Sequence, residues 1–155
     1  LLEPGQRLAP ETETLLMFAA RSEHLDKVIR PALKAGTWVL CDRFTDASFA
    51  YQGGGSGVSW SKIATLEEWV QAGVQPDLTL YFDVDPDTAA ARTSAIKPAD
   101  RFEQEQRSFH ERVRAAYLRR ARENPRRVRV IDANRALAEV QVELEEVASR
   151  LCTNV

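Results

Sequence analysis

Apolar positions recur at two different periods along the chain. Over residues 11–35, Leu15, Phe18, Ala19, Leu25, Val28, Ile29, Ala32 and Leu33 return at roughly helical spacing. Pro31 falls near the end of this stretch, where it can kink a helix, and Gly36 suits its stop. Thr37-Trp38-Val39-Leu40-Cys41 then runs apolar without alternation, as buried parallel strands do, and ends in Asp42-Arg43. The glycine-rich residues 52–57 read as a loop, and Ile63, Leu66 and Val70 mark a second helix.

The same alternation of elements continues to the end. Residues 78–84 form a second buried run, and Asp85 or Asp87 can cap a short helix near 87–95. A polar stretch, 93–103, precedes a basic helix at about 104–123, with Phe109, Val113, Ala116, Tyr117 and Ala121 on its apolar stripe. Residues 127–132 read as a third strand. In a final helix at about 135–151, with Asn134 as candidate cap, Leu137, Val140, Leu144, Val147 and Leu151 follow at spacings of 3, 4, 3 and 4. Strands separated by helices predict βαβ units, a parallel sheet and an α/β fold of three αβα layers. Such sheets bind ligands beyond the carboxyl ends of their strands.

Composition narrows the class. The 155 residues are 44% hydrophobic and 28% charged, an ordinary globular mix that excludes low-complexity and collagen-like chains. No apolar run approaches the ~18 residues of a membrane span, and no signal peptide is visible at Leu1-Leu2-Glu3-Pro4-Gly5. Cys41 and Cys152 lack metal-type spacing, which fits a reducing, cytoplasmic setting.

Charge is distributed unevenly. Residues 1–91 hold 7 Lys/Arg against 13 Asp/Glu, residues 92–129 hold 12 against 5, and residues 130–155 hold 2 against 5. A basic block inside an acidic chain suits either an anionic ligand such as a nucleotide phosphate or a solvated helix face.

Candidate chemistry gathers at the strand ends. Asp42-Arg43 can orient a metal-bound water and grip phosphate oxygens, or form an ordinary surface pair. Tyr51-Gln52 precedes Gly53-Gly54-Gly55; the Gln amide suits a base edge, and the glycines allow close backbone approach. Phe18 and Arg21 place an aromatic and a cation one turn apart, as base stacking or as core and surface. Arg92, Lys97 and Arg101 can form a cationic lid over phosphates or an exposed connection. Arg135 can stack on a second base or lie solvated. His24 and His110 lack ligand spacing.

Taken together, these strings resemble one family. Leu16-Met17-Phe18-Ala19-Ala20-Arg21, Pro31-Ala32-Leu33, Asp42-Arg43-Phe44, Ala50-Tyr51-Gln52-Gly53-Gly54-Gly55, Pro76-Asp77-Leu78-Thr79, Asp100-Arg101-Phe102-Glu103 and Ile131-Asp132-Ala133 are similar, in order and spacing, to bacterial thymidylate kinases. The resemblance covers nearly the whole chain. It implies the P-loop kinase type of three-layer fold, a homodimer, and transfer of the ATP γ-phosphoryl group to dTMP with Mg²⁺.

By the same resemblance, Phe18 stacks on thymine and Arg21 bonds its carbonyl. Arg43 holds the dTMP phosphate with Asp42 beside the metal, and Tyr51 and Gln52 close around sugar and base. Arg101, with Arg92 or Lys97, acts from a lid at about 93–103, and Arg135 lies near adenine. The glycine run departs from the family at Ser56, where an Arg is common.

No G-x-x-x-x-G-K-[ST] string occurs in residues 1–155. The expectation is therefore a kinase domain without its opening strand and P-loop unit, inefficient by itself in ATP-dependent transfer. A kinase of another nucleoside or nucleotide, an inactive fragment, and a nucleic-acid-binding module are the alternatives.

Overall fold

The computed structural model describes residues 8–94 and 101–153, and for 93, 94, 101–106, 152 and 153 the backbone alone. The first helical stretch is a single rod in three parts: α1 (Pro10–His24), a π-helical turn π1 (Leu25–Ile29) and α2 (Arg30–Lys34). In the π turn, the Arg30 N–H donates to the Leu25 carbonyl one residue beyond the α pattern. The widened turn directly precedes Pro31, whose missing N–H would break the ladder there in any register. Helix α3 (Thr45–Ser48) runs into a second π segment, π2 (Phe49–Gly55), and α4 (Trp60–Gln71) follows.

Strand β1 (Thr79–Asp83) pairs in parallel with β2 (Val128–Asp132), Thr79 opposite Val128 and Asp83 opposite Asp132. Between them the chain crosses through α5 (Pro86–Ser94) and α6 (Arg101–Glu123), and α7 (Leu137–Thr153) follows β2. Asp85 caps α5 as expected, accepting the Thr88 N–H at 2.9 Å with Pro86 at the first helical position.

Three expectations are corrected. Residues 37–41 are not a strand. A strand exists through its ladder, and among the described residues this segment has no strand partner; Trp38 and Leu40 stand exposed. The three-strand sheet of the predicted three-layer fold is accordingly, among the described residues, a two-stranded parallel one. Residues 52–55 are not loop but part of π2. Asn134 does not cap the last helix: its amide donates to Asp132 and accepts the Asp85 N–H, while Glu139 reaches back to the Ala136 N–H.

The core lies where α1, π2, α4 and α6 meet. Phe18, Phe49, Val58 and Ile63 form one buried cluster, and Ala50, Val113 and Ala116 a second, with Trp60 touching both. The glycine run explains how α6 comes so close. A Cβ at Gly54 would lie 2.6 Å from the Ala116 Cβ and 2.8 Å from the Arg112 carbonyl oxygen. Backbone cannot yield as a flexible side-chain tip can. Gly54→Ala is therefore expected to destabilise the protein by about 1–3 kcal/mol, read as a lowered thermal midpoint.

Candidate active site

Helix α1 turns Glu13, Met17 and Arg21 to one face, since residues four apart stack along a helix. The Arg21 guanidinium lies over the Phe18 ring at 4.5 Å and the Phe44 ring at 5.3 Å. Its Nη2 donates to Ser48 Oγ at 2.9 Å and toward the Phe44 carbonyl at 3.4 Å. Its Nη1 is buried without a partner. Burial lowers the Arg21 pKa, yet a guanidinium remains charged, so an unpaired N–H donor is held inside the protein.

Phe18 itself is only 1% exposed. Its ring is packed against the core and lies under the Arg21 guanidinium. Met17, 43% exposed on the Glu13–Arg21 face, is the apolar side chain left open there.

Residues 42–55 supply the opposite wall. Arg43 has φ 62°, a left-handed conformation that costs a non-glycine residue about 1–3 kcal/mol. Its guanidinium is carried over the Tyr51 ring at 4.9 Å. Tyr51 packs on the edge of Tyr117, which stacks on Tyr81 at 4.5 Å. The Tyr81 hydroxyl donates to Asp83, whose carboxylate Arg114 grips with two bonds of 2.7 and 2.8 Å. Those bonds hold Asp83 below the usual carboxylate range, while burial pushes the Tyr117 and Tyr81 hydroxyls up. The strained, exposed Arg43 thus stands on a stack of rings anchored at the end of β1.

Beneath this wall lies an ion cluster. Asp46, 4% exposed, accepts from Arg120 at 2.8 Å and from Arg127 at 2.6 and 2.8 Å, and Thr79 donates to it at 3.2 Å. Burial would raise its pKa, but the hydrogen bonds from Arg127 and Arg120 prevail and keep it low. Gln52, 7% exposed, donates its amide N–H to Glu13 at 2.8 Å, tying π2 to α1. Arg112 donates to the Gly55 carbonyl at 3.0 and 3.3 Å beside Ser56.

Part of the basic block is spent on contacts within the protein. Arg112, Arg114, Arg120 and Arg127 are committed to Gly55, Asp83 and Asp46, while Arg107 and Arg119 pair with Asp87, Glu111 and Glu123. Seven of its ten arginines with described side chains are nonetheless exposed.

A second group gathers past β2. Arg92 donates to the carbonyls of Ala133 at 2.8 Å and Asn134 at 3.4 Å. Arg135 bonds the Asp132 carbonyl at 3.2 Å and the Glu143 carboxylate. Arg101 opens α6, but its side chain, like the whole of Lys97, lies outside the described residues. Among the described residues no group of three His, Cys, Asp or Glu side chains could hold a metal ion. The exposed Asp42 still fits a Mg²⁺ of the kind held mainly by phosphates and water with one or two carboxylates.

Phe18, Arg21, Asp42, Arg43, Tyr51 and Gln52 therefore belong to one neighbourhood, and Arg92 and Arg135 share another. Glu13, Met17, Ser48, Asp46 and Tyr117 escaped the sequence reading. For Glu13 and Met17 the i, i+4, i+8 spacing to Arg21 was the available signal; Asp46 carried none, because its partners lie on elements far along the chain.

Comparison with known proteins places these residues in context. A family model described as Thymidylate kinase matches residues 1–144. The chain is 60% identical over 141 residues to a thymidylate kinase of Cupriavidus metallidurans, covering 91% of this chain and 70% of that protein. It is 59% identical over 147 residues to one of Nitrosomonas europaea, covering 95% of this chain and 68% of that protein. A crystal structure of a thymidylate kinase from Ehrlichia chaffeensis superposes with a TM-score of 0.76 at 33% identity, covering 96% of this chain and 70% of the other. No helix among the described residues is long and apolar enough to cross a membrane.

Proposed function

This chain belongs to the thymidylate kinase family, and we propose that the junction of α1 with residues 42–55 is the dTMP side of its phosphoryl-transfer site. The reaction moves the γ-phosphoryl group of ATP to dTMP, giving dTDP and ADP. Such a transfer asks for positioning and charge neutralisation more than for covalent help.

The observation that carries this assignment is Arg21: a guanidinium with one buried nitrogen unpartnered, set beside Ser48. An unpaired buried donor is costly, and the carbonyl of a bound pyrimidine would satisfy it. Phe18 props the guanidinium, and Met17 offers the apolar contact to the ring. Arg43 takes the acceptor phosphate, held in place by Tyr51, and Asp42 lies where Mg²⁺ would meet the phosphates. Mg²⁺, when bound, neutralises charge developing on the phosphates.

Arg92 of α5, bonded to the turn after β2, and Arg135 on that turn suit the adenine end of ATP, and Lys97 and Arg101 belong to the proposed lid at about 93–103. The exposed Leu15 and Trp69, lining an open apolar cleft of about 540 Å³ between α1 and α4, suit the homodimer that the family implies.

Gln52→Ala in the full-length protein tests the assignment. The dTMP KM is expected to rise about tenfold, the worth of roughly one buried hydrogen bond, with the ATP KM within about twofold. Equal losses toward both nucleotides would remove Gln52 from the acceptor base.

A further inference from the structure

The geometry points to Glu13 as the residue that selects the pyrimidine, by fixing which edge of the Gln52 amide the base meets; this rests on the proposed placement of Gln52 against the base. An ionised carboxylate only accepts hydrogen bonds. The Gln52 amide must therefore turn its nitrogen toward Glu13, as the 2.8 Å contact shows. The opposite orientation would set the amide oxygen against the carboxylate, exchanging a charge-assisted bond for a repulsion. Gln52 is 7% exposed, so few other rotations are open to it.

With the nitrogen committed, Gln52 Oε1 is the acceptor left for a ligand. A 2,4-dioxopyrimidine presents an N–H at N3 to that acceptor. Cytosine presents a bare acceptor at N3, which faces its own kind. A free Gln52 amide could turn over and donate to cytosine N3. Glu13 forbids that turn. It touches no substrate atom in this arrangement, and so acts as a positioning residue for specificity.

The full-length protein carrying Glu13→Gln or Glu13→Ala is compared with wild type by kcat/KM for dTMP and for dCMP, and by the Kd of each measured calorimetrically without ATP. The dTMP-over-dCMP ratio is expected to fall at least about tenfold in both variants, with thermal midpoints close to wild type. A structural role alone would lower both substrates together, and a ratio kept within about twofold would overturn the inference. Gln52→Ala separates the two levels. If it moves the ratio and the Glu13 variants do not, Glu13 has no part in selection. If Gln52→Ala itself leaves the ratio unchanged, the underlying placement of Gln52 is wrong.

Discussion

Arg43→Ala in the full-length protein is expected to lower kcat/KM for dTMP by roughly 10²–10³, about 3–4 kcal/mol of transition-state stabilisation, the usual worth of one preorganised group on developing charge. The guanidinium is exposed, lies on the Tyr51 ring, and holds its place at the expense of a left-handed backbone. Removing the side chain leaves the stack of Tyr51, Tyr117 and Tyr81 intact. The melting temperature should therefore hardly change. Arg43→Gly provides the sharper comparison. It should be equally slow, yet more stable than Arg43→Ala, because glycine adopts φ 62° without penalty. Steady-state kinetics beside thermal melts check both statements. A near-normal kcat/KM in either variant would dismiss the phosphate role.

Asp46→Ala should have the largest effect on stability. The carboxylate neutralises Arg120 and Arg127, whose side chains are 12% and 15% exposed. Deleting it leaves Arg127 without its counter-charge and Arg120 with only Glu67 at 3.8 Å, at a cost of about 3–5 kcal/mol, or a fall of roughly 10 °C in thermal midpoint. Denaturant melts would read the same loss as a lower midpoint.

The pH dependence has a definite sign. The folded-state pKa of Asp46 lies below its unfolded value of about 4. Its contribution is thus fully present above pH 4 and disappears as pH falls through the lowered folded value. The wild type should lose stability in that acid range more steeply than Asp46→Ala. Parallel curves would mean the pair contributes nothing to the linkage.

Much of this could be read from the chain before any coordinates. The runs at 78–84 and 127–132 became β1 and β2 within a residue at each end, the first marked by its apolar and aromatic residues, the second by β-branched Val128, Val130 and Ile131. The basic helix showed its stripe correctly, with Val113, Ala116 and Ala121 buried. Other features depended on neighbours that local pattern does not report. Thr37–Cys41 has the composition of a strand, but a strand needs a ladder partner. Gly53-Gly54-Gly55 has the composition of a loop, but α6 uses the missing side chains of Gly54 and Gly55, and α4 that of Gly53, to approach a helix. Phe18 and Met17 are adjacent in sequence and opposite in fate, because a step of one residue turns a helical side chain by about 100°. Arg21, Arg43 and Gln52 were legible as site candidates; the groups that orient them, Glu13, Ser48 and Tyr117, were not.

The distance in sequence between Asp46 and Arg127, 81 positions, also sets a schedule. At about 5–20 residues per second, a ribosome needs roughly 4–16 s to travel from one to the other. During that interval the acceptor wall has been synthesised without its clamp. Gly55 must likewise wait for Arg112, 57 positions later. Contacts of such long range also slow folding once synthesis is complete. The proposed dTMP site therefore acquires its full support only after Arg127 has been made, although most of its wall lies within residues 13–55.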